Sequence, residues 1–136
     1  MMMATIDQKN EGAAFLEKFI SENGGIKTET GLAYKIISEG NGKQPTARDT
    51  VEVHYKGMLI NGEVFDSSYS RNQKISFPLK NVISGWTEGL QLIKEGGKIH
   101  LVIPSDLGYG DRGAPPVIPG GATLIFEVEL FKVSSK

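Results

Sequence analysis

After residue 30 the chain alternates between hydrophobic and polar residues with a period of two, which is the pattern of strands with one buried face. In the clearest case, residues 51–60, Val51 and Val53 alternate with polar neighbours. Asn61-Gly62 follows and is a strong hairpin signal, so we expect the next strand to pair with this one. The pattern predicts six strands, at residues 32–38, 51–60, 63–66, 75–79, 98–103 and 124–130.

A short helical pattern interrupts the strands and contains the only tryptophan. Trp86, Leu90 and Ile93 are spaced i, i+4 and i+7, which places them on one face of a helix of about two turns. Ser84 is a candidate N-cap, and Gly96-Gly97 ends the pattern. Because so short a helix is marginal in water by itself, it must pack against the predicted sheet.

A second helical pattern lies near the start of the chain, from about Lys9 to Glu22. Its larger hydrophobic residues form one narrow stripe on an otherwise polar helix: Phe15, Leu16, Phe19 and Ile20. We expect a peripheral helix, and a division into an N-terminal tail and helix (residues 1–30) and a sheet domain (residues 31–136). The stripe packs either on the domain or on a second copy of the chain, and we expect a monomer rather than a dimer.

Composition narrows the classes of function. The chain has 136 residues, of which 39% are hydrophobic and 23% charged, as in an ordinary globular domain with a hydrophobic core. A net charge of -1 gives no basic excess to neutralise phosphates, so we expect no nucleic-acid partner. The absence of cysteine excludes disulfides and thiolate chemistry.

The chain contains no hydrophobic run near the roughly 20 residues needed to cross a bilayer, so no membrane span is expected. Residues 1–11 lack the apolar segment of a secretory signal. We therefore expect a cytoplasmic protein, with the periplasm as the alternative if an export signal has been removed.

Residues that could perform covalent or acid-base chemistry are few. His54 and His100 lie in separate predicted strands without neighbouring ligands, so no metal site is expected. No nucleophile elbow, phosphate loop or dinucleotide fingerprint is present, and we expect no cofactor. Asp66-Ser67-Ser68 has no partner base, which favours a role in a turn.

Aromatic residues are the more distinctive feature: Tyr55, Phe65, Phe77, Trp86, Tyr109 and Phe126. They could form an ordinary core or line a pocket. Asp66 directly follows Phe65, and Tyr109 lies in a long Gly- and Pro-rich connection where core residues are uncommon. These two features favour a pocket.

Several strings, in order and spacing, resemble FK506-binding-protein-type peptidyl-prolyl isomerases from about Leu32 to Val133. The strings are VHYKG (53–57), GEVFDSS (62–68), VISGW (82–86), LGYG (107–110), IP (118–119) and ATLIFEVEL (122–130). The N-terminal helix, ahead of Gly31-Leu32-Ala33-Tyr34, is similar to the linker helix of the bacterial macrophage-infectivity-potentiator and FkpA-like branch.

This resemblance implies an α+β fold in which an antiparallel half-barrel of five to six strands wraps around the tryptophan helix. It implies four residues with catalytic roles: Phe65, Asp66, Trp86 and Tyr109. It also implies six further residues that bind substrate or ligand: Tyr55, Phe77, Val82, Ile83, Ile118 and Phe126. Trp86 would form the floor under a prolyl ring, while the Ile83 backbone N–H and the Tyr109 hydroxyl would bind carbonyl oxygens.

The implied activity is cis/trans isomerisation of X-Pro bonds in polypeptides, by non-covalent binding of the twisted transition state, in support of protein folding. Macrolides such as FK506 and rapamycin are the implied inhibitors. Ile75 stands where many eukaryotic relatives carry an aromatic residue, and Ala114 where they often carry a histidine. These differences bear on substrate preference and macrolide affinity. The alternatives are a non-catalytic module that binds Pro-containing segments and a folding helper that does not depend on turnover.

Overall fold

The structure is a computed structural model that describes residues 5–135; the first four residues of the predicted tail and residue 136 lie outside this range. It has two α-helices, α1 (Thr5–Asn23) and α2 (Ser84–Gly89). The strands are β1 (Ile26–Lys27), β2 (Ala33–Ser38), β3 (Asp49–Leu59), β4 (Val64–Ser67), β5 (Ile75–Pro78), β6 (Lys98–Ile103) and β7 (Leu124–Ser135). The predicted α+β class is confirmed.

The strands form one antiparallel sheet in the order β1-β2-β6-β7-β3-β4, with β5 paired to β3 beside β4. β3 and β7 form the longest ladder, from Asp49 opposite Ser135 to Leu59 opposite Leu124. All six predicted strands are present, and the described residues add a seventh, β1. The sequence did not predict β1 because its two residues lie in a polar stretch without a period.

Alternation along β3 places Val51, Val53 and Tyr55 on the inner face of the sheet, where they are buried. β7 continues five residues beyond its predicted end at Leu130. A bulge opposite Glu52 and Val53 shifts the register there, and the continued ladder buries Val133. The sequence predicted the end of β7 at Leu130 because the alternation of hydrophobic and polar residues stops there, where the bulge interrupts it.

Helix α2 lies directly on β6 at the concave side of the sheet. A Cβ on Gly85 would stand 2.6 Å from Ile103 Cγ2, and one on Gly89 would stand 2.6 Å from Leu101 Cδ2. These two glycines let the helix approach the strand closely, and Leu90 and Ile93 complete the packing as fully buried side chains. This packing supplies the support that so short a helix needs.

The details of α2 differ from the sequence-based expectation. The α-helix spans only Ser84–Gly89 and continues as a 3₁₀ turn at Leu90–Leu92, and the backbone of Ile93 is extended. Ser84 is the first helical residue rather than the N-cap. Ile83 holds the cap position without a side-chain hydrogen bond, so the burial of the helix, rather than capping, sets its start.

Helix α1 covers part of the outer face of the sheet. Leu16 is buried against Ala33 of β2 and Val102 of β6, and the other members of the predicted stripe surround this contact. The stripe therefore packs on the domain of its own chain. α1 begins at Thr5, earlier than expected, because its first turn has a single hydrophobic residue, Ile6, and carries no hydrophobic period. Neither α1 nor α2 is long and apolar enough to span a membrane.

Candidate active site

A cavity of about 420 Å³ opens between the concave face of the sheet, α2 and the connection from β6 to β7. It is lined by Tyr55, Phe65, Asp66, Phe77, Asn81, Val82, Ile83, Trp86, Tyr109 and Phe126. Every residue predicted to line the site is among them except Ile118. Asn81 was not predicted, since it lies in a single 3₁₀ turn that has no distinctive sequence pattern.

Trp86 forms the floor of this cavity. Its ring packs edge to face against the rings of Tyr55, Phe77 and Phe126, with a centroid distance of 5.4 Å in each case. Only 4% of Trp86 is exposed, yet its ring is part of the cavity wall. The buried indole N–H has no hydrogen-bond partner in residues 5–135. The floor is thus tightly packed and almost entirely apolar.

Gly57 of β3 makes room for the wall opposite α2. A Cβ at this position would stand 2.7 Å from Phe126 Cε1 and 2.7 Å from Phe65 Cζ. Phe65 and Phe126 fill that space and pack edge to face at 5.6 Å. Sequence reasoning missed this role, although a glycine inside a strand is the signal of such a close approach.

The polar edge of the cavity is a network of three side chains. The Tyr55 hydroxyl donates to Asp66 Oδ2 at 2.5 Å, and Arg71 donates from Nη1 to Asp66 Oδ1 at 2.8 Å. Arg71 Nη2 also donates to the Tyr55 hydroxyl oxygen at 3.2 Å. Arg71 was not predicted, because it lies in a polar loop and only the folded β4–β5 connection returns it to Asp66.

The network fixes the protonation states of two cavity residues. Burial raises the pKa of the Tyr55 phenol, and the hydrogen bond to Asp66 raises it further. Burial also acts to raise the pKa of Asp66, but the hydrogen bonds from Tyr55 and Arg71, with the charge of Arg71, outweigh burial and lower that pKa. At neutral pH Tyr55 is therefore a donor and Asp66 a weakly basic carboxylate, which is unsuited to general-base catalysis.

Two hydrogen-bond donors border the cavity away from this network. The Ile83 carbonyl accepts the N–H groups of Trp86 at 2.9 Å and Thr87 at 3.2 Å, while the Ile83 N–H has no partner within residues 5–135. Tyr109, in the connection between β6 and β7, lines the cavity and is 42% exposed. The site thus combines an apolar, aromatic interior with a donor from the backbone and a hydroxyl.

Comparison with known proteins identifies the family. Residues 41–131 match the family described as FKBP-type peptidyl-prolyl cis-trans isomerase. The chain belongs to the FKBP-type peptidyl-prolyl cis-trans isomerase family. Its sequence is 52% identical over 128 residues to a probable FKBP-type peptidyl-prolyl cis-trans isomerase of Haemophilus influenzae, covering 94% of this chain and 53% of that protein.

Two further FKBP-type proteins place the chain in the FkpA and Mip branch, as its sequence predicts. The crystal structure of FkpA from Escherichia coli superposes with a TM-score of 0.93 at 49% identity, covering 96% of this chain and 61% of that one. The peptidyl-prolyl cis-trans isomerase Mip of Coxiella burnetii is 50% identical over 113 residues, covering 82% of this chain and 49% of that protein. The chain spans about half the length of the curated relatives it matches.

Within this FKBP-type fold, Ile118 lies away from the cavity wall. It is 6% exposed and packs into the main core. Reciprocal backbone hydrogen bonds with Ala114, at 2.9 and 3.0 Å, fold the connection between β6 and β7 back on itself. This local pairing is a tertiary feature of the loop, and the sequence gives no signal of it.

The two histidines also lie outside the FKBP-type cavity. The His54 ring stacks on Tyr69 at 4.7 Å, and its Nδ1 is hydrogen-bonded to Ser68 Oγ at 2.8 Å. Burial lowers the pKa of His100 on β6. Across residues 5–135 there is no cluster of side chains that could hold a metal ion. Ser68 also accepts the Tyr55 N–H through its hydroxyl, a structural role close to the predicted turn function.

The lowered pKa of Asp66 gives a testable pH dependence of stability. The unfolded carboxyl has a pKa of about 3.9, so the network stabilises the fold above that pH and loses its effect as pH falls through the lower folded value. We expect the gap in Tm between the wild type and Asp66→Asn to stay constant from pH 7 to about pH 4 and to narrow below it. The gap will be small, because the Asp66 side chain is 41% exposed. A gap that already narrows near pH 6 would contradict the lowered pKa.

Proposed function

We propose that the chain is a peptidyl-prolyl cis-trans isomerase that accelerates rotation about X-Pro bonds without a covalent step. The observation that carries this proposal is the cavity itself, which is large enough for a prolyl ring, floored by Trp86 and bordered by donors. Family membership supports it. The activity of the whole protein is part of the proposal because the chain covers only about half of the length of its curated relatives.

The proposed mechanism rests on the chemistry of the amide. Rotation about the bond faces a barrier of roughly 20 kcal/mol, because the twisted transition state loses resonance. The planar amide is the more polar form and is well solvated by water. Transfer into the dry cavity formed by Phe65, Phe77 and Phe126 therefore favours the twisted form. This is preferential binding of the transition state, and each factor of ten in rate requires about 1.4 kcal/mol.

The polar groups of the cavity would orient the substrate. The Ile83 N–H and the Tyr109 hydroxyl would bind carbonyl oxygens of the peptide, and these bonds would hold the prolyl ring on Trp86 while the preceding carbonyl turns. All three residues line the cavity, which supports this arrangement. Asp66, held by Tyr55 and Arg71, presents a fixed negative edge that steers the carbonyl rather than transferring a proton. Val82 and Phe77 complete the apolar contact with the ring.

The substrates would be X-Pro-containing polypeptides. The role of the protein in the cell would be to assist protein folding. The same cavity would accept macrolides of the FK506 and rapamycin type, and the residues at positions 75 and 114, Ile75 and Ala114, would affect the affinity. Both residues are half-buried and pack against the core. A protease-coupled assay with an X-Pro peptide, with and without a macrolide, tests both points. Acceleration that the macrolide abolishes supports the proposal.

The same assay, combined with measurements of peptide binding and of client aggregation, separates the alternatives. Binding of a Pro-containing peptide without acceleration would favour a non-catalytic binding module, and suppression of client aggregation without acceleration would favour a folding helper. We propose a monomer, because the stripe of α1 packs on Ala33 and Val102 of its own domain. A dimer in gel filtration or small-angle scattering would contradict the monomer.

The cellular location is a separate proposal. We propose the cytoplasm, with the periplasm as the alternative, because a chain without cysteine fits a reducing compartment. Cell fractionation followed by immunoblotting of both compartments tests this proposal, and recovery in the periplasmic fraction would overturn it.

A further inference from the structure

Helix α1 packs closely on the connection between β6 and β7, residues 105–123, which we call the Tyr109 loop. Gly12 of α1 is buried against Thr123 at the end of this loop. A Cβ at Gly12 would stand 2.0 Å from Thr123 Oγ1 and 2.7 Å from Thr123 Cβ. Since real Cβ atoms do not approach so closely, only glycine permits the helix to lie at this distance.

The first turns of α1 touch both limbs of the same loop. On the returning limb, a Cβ on Gly121 would stand 2.6 Å from the Thr5 carbonyl oxygen and 3.2 Å from Lys9 Cγ. On the outgoing limb, Lys9 Nζ forms an ion pair with Asp111 Oδ1 at 2.6 Å. Helix α1 therefore contacts both ends of the loop segment between Asp111 and Gly121, where they lie side by side.

Backbone hydrogen bonds connect the segment in contact with α1 to Tyr109, the loop residue that lines the cavity. The Gly121 N–H donates to the Gly110 carbonyl at 2.9 Å, and the Gly110 N–H donates to the Ser105 carbonyl at 2.7 Å. The Tyr109 carbonyl in turn accepts the Gly113 N–H at 3.0 Å. Tyr109 is thus the neighbour in the chain of Gly110, which is hydrogen-bonded to Gly121 in the segment that contacts α1.

We propose that α1 is a positioning element of the isomerase site, which holds the Tyr109 hydroxyl at the cavity by fixing the base of the Tyr109 loop. The inference rests on the proposed function and adds a role for a helix on the other side of the sheet. Gly12 is its central residue. It touches neither substrate nor cavity and acts through Thr123 and the loop.

The steric contact carries more of this effect than the ion pair. Lys9 and Asp111 have side chains 46% and 70% exposed, and exposed pairs contribute little to stability. Beside the contact, a cleft of about 680 Å³ lies between α1, the turn between β1 and β2, and the Tyr109 loop. Because Gly12 packs directly on Thr123 and open space lies beside it, we expect one added methyl group at Gly12 to move the helix and the loop apart.

The test compares Gly12→Ala with Ala14→Leu, a control at an exposed position of the same helix. We expect Gly12→Ala to lower kcat/KM for an X-Pro peptide by about threefold to tenfold, corresponding to roughly 0.7–1.4 kcal/mol. We also expect faster hydrogen exchange at the Gly121 amide, and no change of either quantity in Ala14→Leu. Thr123→Gly, which removes the opposing Cβ, should restore activity in the Gly12→Ala background.

A double-mutant cycle tests whether the helix acts through Tyr109. If it does, Gly12→Ala lowers activity much less in a Tyr109→Phe background than in the wild type. Additive losses in the two variants would overturn the inference, as would a lower Tm for Gly12→Ala with unchanged kcat/KM and unchanged exchange at Gly121.

A milder variant keeps the inference testable if Gly12→Ala does not fold. Asp111→Lys places two positive charges together, and we expect a loss of about twofold in kcat/KM that Lys9→Asp in the same chain reverses. No loss, or no reversal, would count against the inference. If the wild type has no isomerase activity, the proposed function fails, while Gly121 exchange in these variants still reports whether α1 orders the loop.

Discussion

Asp66→Leu is expected to lower kcat/KM for an X-Pro peptide by about 10- to 100-fold, a loss of roughly 1.4–2.8 kcal/mol of transition-state stabilisation. The substitution removes the acceptor of the Tyr55 hydroxyl and the partner of Arg71. A buried donor left without an acceptor costs about 1–3 kcal/mol, and Arg71, left with only its hydrogen bond to the Tyr55 oxygen, no longer fixes the polar edge of the cavity. The measurement is steady-state isomerisation at neutral pH, with far-UV circular dichroism to verify the fold.

Asp66→Asn is the matched control for that prediction. The amide keeps the size of the carboxylate and can still accept from Tyr55, so we expect a loss of about tenfold or less. The pH dependence of the remaining activity should match that of the wild type. If Asp66→Asn abolishes turnover and introduces a new inflection in the pH–rate profile, Asp66 transfers a proton and the proposed mechanism is wrong.

Trp86→Leu is expected to lower kcat/KM by about tenfold while the fold survives. Leucine keeps the floor apolar but removes the flat surface under the prolyl ring and the edge-to-face contacts with Tyr55, Phe77 and Phe126. The truncation should also lower the free energy of unfolding by about 2–4 kcal/mol, as for other large core side chains. Because Trp86 is the only tryptophan, unfolding is followed by far-UV circular dichroism rather than by fluorescence.

Trp86→Phe is the control, since it keeps an aromatic ring at the floor. We expect it to retain most of the activity and stability that Trp86→Leu loses. If Trp86→Leu unfolds the protein at room temperature, Trp86 is mainly a core residue. Full activity in Trp86→Leu would instead remove the indole from the mechanism.

Local patterns predicted most of the sheet and the aromatic part of the site. The period of two in residues 51–60 gives both β3 and the inward direction of Tyr55, and Asn61-Gly62 gives the hairpin that brings Phe65 to the same face. These features could be predicted because each depends on neighbours in the chain. The same holds for Trp86, whose spacing to Leu90 marks the buried face of α2.

Features that depend on distant contacts could not be predicted in this way. Arg71 reaches Asp66 only through the folded loop, and the backbone pairing of Ile118 with Ala114 depends on how the connection between β6 and β7 folds. Ser84 looks like a cap, but the packing of Gly85 on Ile103 places the helix start one residue away from that expectation. In each case tertiary packing overrides the local preference.

Gly12 and Gly57 fall between these two groups. A glycine inside a helix or a strand is locally unfavourable, so its presence signals a close approach, but the sequence does not name the partner. The structure supplies the partners, Thr123 for Gly12 and the Phe65–Phe126 pair for Gly57. Both partners belong to the site or to the loop that borders it.

The central claim is that a dry aromatic cavity accelerates X-Pro rotation without proton transfer, and the pH dependence of wild-type kcat/KM tests it most directly. The pKa of Asp66 is lowered and that of Tyr55 is raised, so neither group changes protonation between about pH 5 and pH 9. The account predicts a peptide isomerisation rate well above the uncatalysed rate and constant across this range. A bell-shaped profile with inflections inside the range, or a rate equal to the uncatalysed one, would contradict it.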